Sequence, residues 1–259
     1  MVYDALLRVA AETLLRVAAD PQQLGARPAI LAVLHTWTQD LRYHPHVHVL
    51  ITGGGLAPDG SHWVPTPRPD FLFPGYVLST VFRGKMRDAL RRADLADQVA
   101  PRTWTRDWVV HVQSAGSGHR VLDYLGHYVF RIAITNRRLE AFANGRVTFR
   151  CRDRHTGQMI HRTLPAPTFL ARFLQHVLPR GFAKVRHYGL ASPTCRQRLD
   201  AARSALSPAS TPALSSSTPD DPMATADSDR AAIPDADRCP ACHIGRLLVV
   251  AILPRARPP

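Results

Sequence analysis

Two histidines one residue apart, His46 and His48, stand in the stretch His44-Pro45-His46-Val47-His48. In an extended strand alternate side chains share a face, so the two imidazoles project together while Val47, Val49 and Ile51 point the other way. Paired imidazoles make half of a metal site, and His35 and His44 add nitrogen donors nearby. Tyr124 and Tyr128 form a second pair. At this spacing on a helix the phenols share a face, one turn apart. Beside a divalent cation, a phenol can attack a phosphodiester, giving a covalent phosphotyrosine that keeps the bond energy for rejoining. The same spacings also suit a packed aromatic pair and a half-exposed sheet. Cys239 and Cys242 have the spacing of one zinc knuckle. Zinc needs four ligands and no second pair follows, so a structural zinc there requires another segment to complete it.

Elements must place these groups. Leu6, Val9, Leu14 and Val17 predict a helix over residues 3–19, and Ala29 to Leu34 reads as a buried strand leading into His35. A second strand, His46 to Thr52, carries the histidine pair and ends at Gly53-Gly54-Gly55. After a proline-rich loop, a long basic helix is expected from Val77 to Val99, a strand from Asp107 to Val112, and an amphipathic helix bearing both tyrosines from Val121 to Ile134. Arg146 to Arg150 and Met159 to Thr163 flank a turn at Thr156-Gly157 and read as an antiparallel pair, followed by a helix from Phe169 to Leu178. Past about Ser204 the composition shifts to Ser, Thr, Pro, Ala and Asp. The expectation is an α+β domain over residues 1–200, a disordered linker over 201–238 and a tail over 239–259 that holds the half knuckle.

Charge narrows the class of partner. The chain of 259 residues has a formal net charge of +13, and residues 201–259 hold six arginines against six aspartates. The 27 basic and 14 acidic residues of the first 200 therefore carry the whole excess. Such an excess attracts polyanions, DNA or RNA rather than a membrane, because no basic amphipathic anchor is visible. Thirty-one arginines against two lysines also fit biased codon usage. The longest clean apolar run, Leu247 to Leu253, falls far short of the roughly 18 residues of a membrane span. Asp4, Arg8 and Glu12 interrupt any secretory segment, so the cytoplasm is the expected compartment.

Several phrases together resemble a known family. Ala32 to Trp37, His44 to Leu50 before Gly53-Gly54-Gly55, Tyr124 to Tyr128 followed by Val129 to Asn136, and His176 to Phe182 occur in the order found in rolling-circle insertion-sequence transposases. These are two-tyrosine members of the HUH endonucleases, named for histidine, hydrophobic, histidine. The resemblance covers roughly residues 3–200. It implies a central antiparallel sheet flanked by helices, with His46 and His48 holding magnesium or manganese on the central strand. It implies that Tyr124 and Tyr128 cut one DNA strand, keep its 5′ phosphate and release a 3′ hydroxyl, with no nucleotide cofactor. The cation would neutralise and align the scissile phosphate.

A third ligand is expected, since two imidazoles hold a hard cation weakly and nitrogen donors suit zinc or manganese better than magnesium. Gln39 is the first choice as an oxygen donor just before the histidine strand, with His44 and Asp40 next. Arg131, Arg137 and Arg138 follow the tyrosines and are expected to guide the phosphate backbone. The implied partner is single-stranded or hairpin DNA at transposon ends, in the bacterial cytoplasm at the nucleoid. Family members typically carry a cysteine-rich zinc-binding segment before the catalytic domain, so a shortened start is expected here. The alternatives are a truncated, inactive DNA-binding remnant and a metal-dependent hydrolase in which neither tyrosine matters.

Overall fold

The computed structural model describes residues 2–68, 72–116, 133–153 and 156–206. In chain order these form α1 (Val2–Ala18), β1 (Ala29–Trp37), β2 (Tyr43–Ile51), β3 (Gly54–Leu56), β4 (Trp63–Pro65), α2 (Gly75–Arg91) and the single turn α3 (Arg102–Thr105). There follow β5 (Leu139–Ala143), β6 (Arg146–Arg152), β7 (Met159–Pro165), α4 (Ala166–Leu174), β8 (Val185–Gly189) and α5 (Arg196–Leu206). The architecture is α+β, with antiparallel sheets flanked by helices.

An almost unbroken apolar run makes β1 a central strand, because a strand paired on both edges and covered on its faces has little water to meet. Its neighbours are β2 and β8, both antiparallel, in the order β2-β1-β8. The pairing sets Ala32 against Val49, Leu34 against Val47 and His35 against His46. Beyond that pair the register slips, and Trp37 faces Tyr43. Thr36 thus stands opposite His44 and Pro45, a bulge that accommodates a proline with no N–H for the ladder.

The two faces of this sheet differ. Ala32 and Leu34 pack with Leu7 of α1, alongside Val47, Val49 and Tyr188. α1 is buried on two sides: Val9 turns toward α2, where Met86, Ala89 and Leu90 close a second cluster. Val17 and Ala18 meet Phe73 and Leu78 in a third. Sheet, α1 and α2 are therefore successive layers, and the opposite sheet face is left to the histidines.

A separate three-stranded sheet, β5-β6-β7, presents Phe149 and Cys151 inward. They pack with Phe169 of α4, with Ala133 and Ile134, and with Leu41 from the β1–β2 connection. The expected hairpin around Thr156-Gly157 is thus present as β6 and β7, with β5 added to it.

Three expectations change. The long helix ends at Arg91 instead of Val99, because Asp94 takes a left-handed φ of 54° and the Leu95 N–H turns back to the Leu90 carbonyl. Residues 107–112 form no strand: Ser79 and Arg83 of α2 bond the Trp108 and Arg106 carbonyls, and Val109 is 97% exposed. Side-chain donors replace the strand partner that a ladder would need. The helix expected from Phe169 to Leu178 spans Ala166–Leu174, and α5 carries regular structure past residue 200. Tyr124, Tyr128, Arg131, Cys239 and Cys242, and the linker and tail from residue 207 on, lie outside the described residues. No helix among the described residues is long and apolar enough to cross a membrane.

At the end of β8, Gly189 has φ +61°, and a Cβ there would run into the Pro28 carbonyl oxygen, the acceptor of the Leu190 N–H. Gly189→Ala is expected to cost about 3 kcal/mol, from strain and overpacking, read as a lower urea midpoint with unchanged m.

Candidate metal centre

Strand alternation and register bring three imidazoles to one place. His46 and His48 share a face of β2, and His35 stands directly across from His46 on β1. One ring nitrogen from each of His35, His46 and His48 lies within 4.8 Å of the other two. The Nε2 atoms of His46 and His48 are 3.1 Å apart. His35 is 2% exposed, while the pair on β2 is half-buried.

Hydrogen bonding sets the tautomer of His46. Its Nδ1 is 2.7 Å from the His44 carbonyl oxygen, which can only accept, so Nδ1 carries the proton and the Nε2 lone pair faces His48. A backbone carbonyl fixing the outer nitrogen of an imidazole is the usual support of a metal-ligating histidine. Trp37 stacks on His35 with ring centroids 4.6 Å apart, which restricts that ring as well. The donor set fits a divalent cation. With three nitrogens and no carboxylate it suits manganese or zinc better than magnesium.

His35 is the third group; the sequence marked it as a nearby nitrogen donor but put Gln39 first as third ligand. Asp40 and His44 are not in the converging set, although the His44 ring centroid lies 5.2 Å from that of His46. The Asp40 carboxylate is taken by the Thr38 hydroxyl at 2.6 Å and by Arg42 at 2.8 Å. Gln39 sits in the turn beyond β1, its backbone carbonyl accepting from Arg138.

The turn that joins the two ligand strands is heavily braced. Leu41 holds a left-handed φ of 60°, costly for a residue with a Cβ, while its side chain is fully buried against Phe149 and Phe169. Burying a leucine contributes about 2 kcal/mol, which offsets that strain. Three successive carbonyls accept from distant side chains: Gln39 from Arg138, Asp40 from Arg172 at 3.3 Å, and Leu41 from His176 at 3.2 Å. Burial pushes the His176 imidazole below its usual range, so it is neutral. Nε2 then donates to Leu41, and Nδ1 accepts from the Thr36 hydroxyl at 3.2 Å.

Of the expected DNA-contacting arginines, Arg138 spends its guanidinium inside the protein. It also donates to the Arg150 carbonyl at 2.8 Å and the Ala133 carbonyl at 3.3 Å. Arg137 is exposed. A sequence holds no signal for Arg138, Arg172 and His176 acting on one turn. His35 did leave one, since a tight turn near residue 40 sets residues 35 and 46 opposite each other.

The domain is thus antiparallel α+β, and its hairpin gathers three imidazoles that could hold a metal ion. Residues 29–198 match the family model Y2_Tnp, described as "Putative transposase", and the chain belongs to that transposase family. It is 37% identical, over 97% of its length, to "Putative transposase y4qJ" of Sinorhizobium fredii, of which the match covers 68%. It is 30% identical, over 82% of its length, to "Transposase for insertion sequence element IS801" of Pseudomonas savastanoi pv. phaseolicola, of which the match covers 55%. No solved structure matches the chain significantly.

Manganese or cobalt is expected to raise Tm by about 5 °C at concentrations well above Kd. His46→Ala and His35→Ala should abolish the rise in differential scanning fluorimetry, whereas Gln39→Ala should keep it if His35 is the third ligand. Asp40 adds a pH dependence. Burial opposes its ionisation, but Thr38, Arg42 and its own backbone N–H outweigh this and hold the carboxyl below its ordinary range. Its contribution is complete above about pH 4 and is lost as pH falls through the lowered folded value. The acid limb of a Tm-against-pH curve should therefore shrink in Asp40→Asn.

Proposed function

We propose that this chain is a metal-dependent transposase that cuts and rejoins single-stranded DNA at element ends through a 5′-phosphotyrosine, in the manner of rolling-circle transposition. The observation that carries the reading is the convergence of His35, His46 and His48 on a space where one cation fits. Membership of the transposase family supplies the class of chemistry.

A divalent cation held by these residues would neutralise a non-bridging oxygen of the scissile phosphate. The phenol oxygen of Tyr124 or Tyr128 attacks phosphorus, the new bond joins tyrosine to the 5′ phosphate, and the bond to the 3′ oxygen breaks. The phenol gives up its proton and the departing 3′ oxygen takes one, leaving a 3′ hydroxyl. The phosphate ester count is unchanged, so the second transfer can reverse the first on a new 3′ hydroxyl without ATP. Two tyrosines allow two such transfers. The exposed Arg137, with Arg131, is assigned to the DNA backbone.

The test is transfer of label from single-stranded hairpin oligonucleotides to the protein on a denaturing gel, with manganese or magnesium. A band that needs metal, His46 and at least one of Tyr124 and Tyr128 is expected. Salt-sensitive DNA binding without a band would favour a binding remnant. Cleavage that persists in the double Tyr→Phe variant would point to a hydrolase.

A further inference from the structure

The outer face of the β5-β6-β7 sheet carries more positive charge than its acids balance. Along β6 the inward row, Val147, Phe149 and Cys151, packs into the core with Leu41, so Arg146, Thr148, Arg150 and Arg152 share the outward row. The three arginines are exposed. Register sets the rest of this face. Ala143 and Pro165 flank Arg146, Ala141 and Thr163 flank Thr148, and His161 and Met159 lie beside Arg150 and Arg152.

Among the described residues Glu140 is the acid on this face. Arg150 Nε is 3.1 Å from one of its oxygens and His161 Nδ1 is 2.5 Å from the other. Asp153, at the end of the strand, turns its carboxylate into the hairpin, to the Thr156 N–H at 2.9 Å. The other arginine bonds go to carbonyls: a second Arg150 nitrogen donates to Arg137 at 2.9 Å, and Arg152 donates to Gly157 at 2.8 Å. Arg137 thus borders the face, and neither its guanidinium nor that of Arg146 has a partner among the described residues. A carbonyl neutralises no charge, so four guanidiniums stand against one carboxylate.

Small side chains keep the middle of the face low. Thr148 and Thr163 bond each other at 2.8 Å, which leaves one hydroxyl proton for another acceptor. Successive outward residues of a strand are about 7 Å apart, so β6 sets its guanidiniums along one line at steps of about 14 and 7 Å. The outward row has no Phe, Tyr or Trp on which an unpaired base could stack, the usual means of holding a single strand. An extended basic row without a stacking platform complements the phosphate backbone of a duplex. We propose that Arg146, Arg150 and Arg152, with Arg137 at the border, dock double-stranded DNA on the outer face of this sheet. The inner face packs on Leu41 of the histidine hairpin, so a duplex held here lies across the sheet from the candidate cation site and leaves that site to the strand that is cut. The inference rests on the proposed function in taking DNA as the substrate.

The test is fluorescence anisotropy with a labelled mixed-sequence duplex of about 20 base pairs, titrated over a range of potassium chloride. The double variant Arg146→Gln/Arg152→Gln, changed at two exposed positions, is expected to bind about tenfold more weakly and to reduce the salt slope by roughly 1.8, two duplex phosphate contacts. The double variant Arg146→Lys/Arg152→Lys should keep the slope, because charge carries it. Arg198→Gln/Arg203→Gln on α5 removes the same charge from another surface and serves as the control. Affinity and slope equal to the control's would overturn the docking face, and a metal-dependent covalent band on hairpin oligonucleotides would still uphold strand transfer. A reduced slope in the double glutamine variant of a protein that gives no such band would uphold the face and overturn strand transfer. Tighter binding of the corresponding single strand would overturn the duplex assignment.

Discussion

The hydrogen-bonded turn between β1 and β2 is the constraint on which the candidate centre depends. A hairpin register is fixed by its turn, and a slip of one residue would send His35 to the face occupied by Leu34. Here the turn is held from outside as well as from within. Thr38 closes it by accepting from the Arg42 N–H at 3.0 Å, and Arg138, Arg172 and His176 occupy its three carbonyls. Leu41 then anchors the same turn in the core beneath the second sheet.

That arrangement explains why a domain with a small first sheet can hold three imidazoles within a few ångströms. The three strands β2-β1-β8 are stiffened on one face by α1, itself backed by α2. The other face is free to carry polar groups because the hairpin end is braced by a different sheet. Arg138 links three parts of the chain at once, bonding the turn, Ala133 and β6. A guanidinium with five donors in a plane is well suited to such a junction, and a lysine would not replace it.

Much of this was legible in the sequence, for identifiable reasons. The apolar run of β1, the alternation in β2 and the hairpin of β6 and β7 are local patterns, and local patterns survive folding. The end of α2 was not legible, since it depends on a left-handed Asp94 that propensity does not announce. The stretch 107–112 alternates like a strand, yet Ser79 of α2 takes the Trp108 carbonyl and Arg83 takes that of Arg106 just before it. The pairing of His46 with His48 followed from period two. His35 required the cross-strand register, which depends on the turn length, and the sequence alone pointed to Gln39 instead. Arg138 read as a DNA contact because its carbonyl partners lie far apart along the chain.

The bulge at Pro45 bears on how molecules of this protein meet one another. Among the described residues β2 is an edge strand, and an edge strand is a ready template for pairing with another chain. The slipped register beside Pro45 twists the strand where it stands opposite Thr36, which turns that edge away from a flat partner. A second molecule that tried to add a strand there would lose hydrogen bonds at the step that brings it past His44. The hairpin that carries the histidines is therefore a poor seed for aggregation while the protein is being made.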